Sequence, residues 1–282
     1  MAVGLFLTSF GTLALARQAT PLSTQLLIVP LVLAVIVLIT EWDSFWVLMA
    51  SAVVFAGCFY VPGALWLAVI SGLICFRNLV ISFYRLNWRA KLGLLVWQLV
   101  LIAPLGYHLV RYYSKGQVLH WLGWGLPNNL SAFKHFGLNL VQVPLDLSIH
   151  SSKLPLSLGN LPLFPVALSL LALLGLYCYL TRLANYRWRS IGLLLIGSWL
   201  LIGFGVLTIY SLIPLVIIAA ATGMAFILKK WYTIFPKNPF ARYSGLILMT
   251  SVVLLIAFFQ ARSYFVAWAN DPSTIAAYRI TL

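Results

Sequence analysis

Long uninterrupted apolar runs constrain this chain more than any motif does. Leu26–Ile39 reads LLIVPLVLAVIVLI and Leu246–Phe259 reads LILMTSVVLLIAFF. Similar runs recur along most of the 282 residues, and 63% of the chain is hydrophobic. The mean hydropathy is +1.02, far above that of ordinary soluble domains. Such a chain belongs in a bilayer, where the backbone satisfies its own hydrogen bonds as helices or as a closed barrel. A barrel alternates apolar and polar residues in short segments. These runs do not alternate, so the expected fold is an all-α polytopic membrane protein, a single membrane domain over residues 1–282.

The runs suggest about nine spans, at 2–16, 24–40, 45–60, 64–76, 92–110, 161–181, 191–208, 211–228 and 244–260. Val61-Pro62-Gly63 separates the third from the fourth, so residues 45–76 read as two spans or as one broken element. Met1–Ala16 has no basic residue before its apolar stretch and reads as a first membrane helix, not as a cleaved signal.

Charge sets the expected orientation. Basic residues group as Arg77, Arg85, Arg89 and Lys91, as Arg182, Arg187 and Arg189, and as Lys229, Lys230, Lys237 and Arg242. Nine alternating spans put all three groups on one side, which the excess of basic residues in short loops marks as cytoplasmic. The expected location is therefore an inner membrane, multi-pass, with the N-terminus inside and the C-terminus outside. Residues 111–160 become an external loop and 261–282 an external tail. Trp121, Trp124, Phe133 and Phe136 keep that loop apolar, while Pro127, Pro144 and Pro155 divide it. Short helices lying in the interface are expected there. The net charge of +14 is loop charge facing membrane lipids, with no implication of nucleic-acid binding.

Only four acids occur: Glu41, Asp43, Asp146 and Asp271. Any chemistry that needs a carboxylate must use one of them. Thr40-Glu41-Trp42-Asp43-Ser44 offers paired carboxylates, yet it reads better as a helix N-terminus, where acids suit the helix dipole. Asp146 reads as a cap or turn residue near Pro144. His108, His120, His135 and His150 are spaced too widely for a zinc pattern. Cys58, Cys75 and Cys178 lie in apolar runs and form no disulfide framework. No metal and no cofactor are expected.

The external basic residues are the candidate site. Arg111, Lys115, Lys134, Lys153 and Arg262 flank membrane exits on the expected outer side. Arg and Lys suit phosphate oxygens, so a lipid-linked phosphate could bind Arg111, Lys115, Lys134 and Arg262. Tyr112, Tyr113, His120 and Tyr264 are possible hydrogen-bonding neighbours. Non-specific head-group contact is the simpler account of the same residues. Asn270-Asp271-Pro272-Ser273-Thr274 reads as a turn or cap cluster behind an aromatic belt.

Several stretches together resemble the membrane-embedded GT-C glycosyltransferases, relatives of protein mannosyltransferases and aminoarabinose transferases. They are Gly57–Trp66 (GCFYVPGALW), Leu130–Leu145 (LSAFKHFGLNLVQVPL), Leu158–Leu174 (LGNLPLFPVALSLLALL) and the span with its basic loop around Tyr210–Lys230. The tail YFVAWANDPSTIAAY looks like the end of some bacterial members. The resemblance implies a glycosyltransferase of the cell envelope using a polyprenyl-phosphate-linked sugar. Members carry an early external loop with a catalytic carboxylate, whereas only Arg17–Ser23 joins the first two spans here. No catalytic residue carries over. The chain resembles the later part of such an enzyme, as a truncated product, a late start or a degenerate remnant. A partner membrane protein supplying the missing N-terminal part is one expectation. A transporter or flippase for a lipid-linked substrate, and a non-catalytic scaffold, remain alternatives.

Overall fold

In the computed structural model the described residues are 2–18, 21–42, 44–112, 118, 121–122, 130–149, 162–182 and 184–271. Eleven α-helices are assigned among them, with no strand. They are α1 (Ala2–Thr8), α2 (Phe10–Gln18), α3 (Pro21–Glu41), α4 (Phe45–Tyr60), α5 (Leu65–Arg85) and α6 (Trp88–Tyr112). After these come α7 (Leu130–Ser148), α8 (Val166–Thr181), α9 (Tyr186–Gly203), α10 (Ile213–Ile234) and α11 (Pro239–Arg262). A 3-10 turn at Ile209–Leu212 precedes α10, and a π-helical turn at Ser263–Trp268 extends α11. Five segments are long and apolar enough to cross a membrane: Ser23–Glu41, Leu65–Arg85, Trp88–Tyr112, Ile209–Ile234 and Pro239–Trp268. Phe45–Tyr60 and Val166–Thr181 are shorter apolar helices.

The chain forms two compact units. The first comprises Met1–Ala19, Val141–Thr181 and Ile213–Leu282. The second comprises Thr20–Leu140 and Arg182–Leu212.

In the second unit, α3, α4 and α5 run antiparallel in succession. Val61 is extended (φ −108°, ψ 121°), as a residue before proline prefers, and it stops α4. Gly63 then turns the chain at φ +74°, a conformation glycine enters freely. A Cβ there would also run into the Val206 carbonyl oxygen. Residues 45–76 thus hold α4 and the first part of α5, joined by a turn. Gln25, 5% exposed, ties this turn to a second break after α9. Its Nε2 donates to the Pro62 carbonyl at 3.0 Å, and its Oε1 accepts from the Thr208 amide at 3.1 Å and hydroxyl at 2.6 Å. In an apolar setting each of these groups would cost free energy if left unpaired.

Residues 130–148 form one helix, which corrects the expectation of short pieces divided at Pro144. Proline inside a helix strands the carbonyl four residues earlier. That carbonyl, on Leu140, accepts from Trp199 Nε1 at 3.1 Å, so α7 continues through Pro144. In the same region Asn139 Nδ2 donates to the last α9 carbonyl, on Gly203, at 3.2 Å, and Phe136 stacks on Phe204 with ring centroids 4.2 Å apart. Pro127 and Pro155 lie outside the described residues, as does much of the remaining expected external loop.

In the first unit, α8 and α10 touch backbone to backbone. A Cβ on Gly175 would overlap the Ala219 carbonyl, and one on Gly223 the Leu171 carbonyl. Small residues permit this approach, which dispersion rather than the hydrophobic effect stabilises in lipid. Tyr179 and Thr222 hydroxyls bond across the same seam at 2.9 Å. The expected first span, 2–16, is broken at Ser9 into α1 and α2. Thr12 Oγ1 donates within the break, and the Phe10 amide donates to Gln260 Oε1 at 3.0 Å. Gln260 is 4% exposed. Phe10 and Tyr264 both pack against the buried Trp268.

Gln25→Leu should destabilise the protein by about 1–3 kcal/mol for each buried group left unpaired. Gly223→Leu should do so comparably through overlap. Thermal unfolding in detergent reads both. A midpoint unchanged from wild type in either variant would refute the corresponding contact.

Candidate functional site

A polar cleft lies within the second unit and has a volume of about 600 Å³. Thr40, Glu41, Trp42, Asn78, Asn185, Tyr186 and Arg187 line it. Three apolar runs deliver these residues to one place. The run of α3 ends at Ile39 and that of α9 begins at Ile191, whereas Asn78 lies within the long apolar segment of α5, Leu65–Arg85.

The local structure fixes each group. Glu41 is the last residue of α3, where a negative charge opposes the helix dipole. Arg187 offsets it, with Nη2 2.8 Å from Glu41 Oε1. Asn185 is the N-cap of α9, and its side chain accepts from the Arg187 amide at 3.1 Å. The Tyr186 hydroxyl donates to the Ile74 carbonyl, one turn before Asn78, and so sets α9 against α5. Burial pushes the Tyr186 phenol up to about 12, so it donates as a neutral hydroxyl. Arg182 and Arg189 lie over the Trp188 and Tyr186 rings at 5.9 and 5.2 Å. Among the described residues the cleft therefore offers one carboxylate, one guanidinium and two carboxamides inside a cationic surround.

This corrects the reading of Thr40–Ser44 as a helix N-terminus bearing acids. Ser44 does precede α4 with extended backbone, without a side-chain cap bond. Glu41 instead closes the preceding helix and pairs across the unit, while Asp43 lies outside the described residues. The sequence held a signal for this pair: both residues fall in short loops on the same expected side. Asp146 lies in the last turn of α7, half-buried, so it is neither a cap nor a turn residue.

The residues of the expected phosphate cluster come from both units and from outside the described residues. Arg111 and Lys134 are exposed residues of the second unit, on α6 and α7. Arg111 hydrogen-bonds the Tyr107 hydroxyl and lies over the Tyr107 and Tyr112 rings at 5.6 and 5.8 Å. Tyr112 also packs on His108, ring centroids 4.9 Å apart. Arg262 and Tyr264 belong to the first unit, where Arg262 is exposed at the end of α11 and Tyr264 stacks on Trp268. Lys115, Tyr113, His120, His150 and Lys153 lie outside the described residues. Among the described residues no group of three or more His, Cys, Asp or Glu could hold a metal ion.

Arg187 is 62% and Glu41 31% exposed, and a pair so open to solvent contributes only about 0.2–1 kcal/mol. Glu41→Gln should therefore lower the unfolding midpoint by a few degrees at most. A collapse of the fold in that variant would show that the pair is structurally essential. No family model, no curated protein and no solved structure matches this chain.

Proposed function

We propose that the protein is an inner-membrane protein of about nine spans acting as a GT-C-like glycosyltransferase on a polyprenyl-phosphate-linked sugar. The N-terminus would lie inside and the C-terminus outside, with membrane lipids and the sugar donor as its partners. The observation that carries the reading is the cation at the end of α6. Arg111 is bracketed by Tyr107 and Tyr112 at the exit of a long apolar helix. A polyprenyl chain lying in the bilayer would present its phosphate at such a boundary, and guanidinium is suited to receive it. The resemblance of Leu130–Leu145 and the other quoted stretches to GT-C enzymes supports the choice of substrate.

The rival reading, a transporter or flippase for the same lipid, draws on a specific feature. Gln25, at the start of α3, bonds Pro62, whereas Glu41 ends α3. The Tyr60 hydroxyl reaches the Leu101 carbonyl, and Arg111 lies further along α6. Glu41 and Arg111 therefore occupy opposite ends of the second unit. Transferase chemistry asks for a carboxylate beside the departing phosphate. A carrier needs the cation alone. A scaffold that only packs against a partner would use neither.

Purified protein in proteoliposomes, given a labelled polyprenyl-phosphate sugar, separates these readings. Label moved to an acceptor supports the transferase. Label moved across the bilayer without transfer supports the flippase. Arg111→Ala should weaken lipid binding about tenfold or more, because one charge-assisted hydrogen bond contributes about 1.5–3 kcal/mol. Lys230→Ala, in the last turns of α10 on the expected opposite side, serves as control. Equal small losses in both variants would remove the site.

Orientation has its own test. Cys58, Cys75 and Cys178 are buried, so an introduced cysteine should dominate labelling. An impermeant thiol reagent applied outside should reach a cysteine at Lys134 and not one at Arg187. The reverse pattern would invert the topology.

A further inference from the structure

We propose that the Glu41–Arg187 cleft binds the head group of a zwitterionic aminophospholipid, with the ammonium on Glu41 and the phosphate on Arg187 and the neighbouring amides. Depth is the first argument. Most of the polar lining residues stand where the apolar run of α3 ends and that of α9 begins, which is the level of lipid head groups in a bilayer. Trp42, largely exposed, and Trp188 sit at the same level, as interfacial tryptophans do.

Charge order is the second argument. Glu41 and Arg187 form a fixed dipole, 2.8 Å between the paired atoms. A bare anion in the cleft would face the Glu41 carboxylate, and a bare cation would face the Arg187 guanidinium. A zwitterion laid head-to-tail over the pair meets an opposite charge at each end. Arg187 has five N–H donors in a planar fork, and its pairing with Glu41 Oε1 engages one amino group. The phosphate can take the remainder of the fork, joined by the carboxamides of Asn185 and Asn78. The primary ammonium has three donors, which suit the carboxylate, with the exposed Trp42 also in the lining.

Size is the third argument. About 600 Å³ lies within the range of small-molecule sites and leaves room for a head group with its glycerol. Arg77, Arg182 and Arg189, on the same end of the unit, supply a positive field that favours the phosphate end. That field alone would attract any anionic lipid equally. The carboxylate at Glu41 makes the difference between a basic surface and a site that selects an amine.

Native mass spectrometry of the delipidated full chain tests this with equimolar phosphatidylethanolamine and phosphatidylglycerol of matched acyl chains. Unmodified protein should retain phosphatidylethanolamine about tenfold better, the effect of one charged hydrogen bond. Glu41→Gln should bring that ratio to about one. Asn78→Ala, which leaves the ion pair intact, should reduce retention of both lipids and preserve the ratio. Equal retention of the two lipids by unmodified protein would overturn the proposal, as would a preference that survives Glu41→Gln. Free O-phosphoethanolamine is the last probe. Its failure to displace bound lipid supports a membrane source, and its binding where the lipid does not bind would reassign the cleft to a soluble ligand.

Discussion

Two buried glutamines hold together the places where helices stop. In a chain this apolar, an interrupted helix exposes backbone groups that lipid cannot satisfy. Gln25 answers one such interruption with its amide and two partners on Thr208 with its oxygen. Gln260 answers another by accepting the Phe10 amide after the Ser9 break. Indole donors act in the same way. Trp199 covers the Leu140 carbonyl, and Trp121 bonds the Phe59 carbonyl at 3.1 Å, at the end of α4. The breaks allow bends between packed helices, and the side chains make those bends affordable in apolar surroundings.

The polar ends of the second unit then acquire distinct characters. One end gathers Glu41 and Arg187 with two carboxamides. The other carries Arg111 among aromatic rings. Acids are scarce in this chain, and among the described residues Glu41 is the carboxylate at that end. The second end has the cation that a lipid phosphate requires.

The helical class was legible because the apolar runs are continuous, and the turn at Val61–Gly63 because proline and glycine mark it locally. The break at Ser9 was not, since Ser9 and Thr12 look like ordinary small polar residues of an apolar segment until Gln260 is brought against them. The continuity of α7 through Pro144 was hidden for a similar reason: its remedy is Trp199, far along the chain. Glu41 was assigned to the wrong helix end because the dipole preference of an acid was weighed without its arginine. In each case the local signal was correct and a distant side chain reversed its consequence. The phosphate cluster was legible only as a list of exits, and Lys115, Tyr113 and His120 lie outside the described residues.

The bond between Phe10 and Gln260 spans 250 positions of sequence. A ribosome adding about 5–20 residues per second separates the two by roughly 12–50 seconds. During that interval the first helical pair sits in the insertion machinery or the bilayer with its amide donor unanswered by its final partner. The first unit also draws on three separate stretches of chain, so its assembly waits on the last of them. Its earliest helices are therefore substrates for whatever shelters nascent membrane segments. A slow stretch of translation anywhere between Phe10 and Gln260 would lengthen that interval.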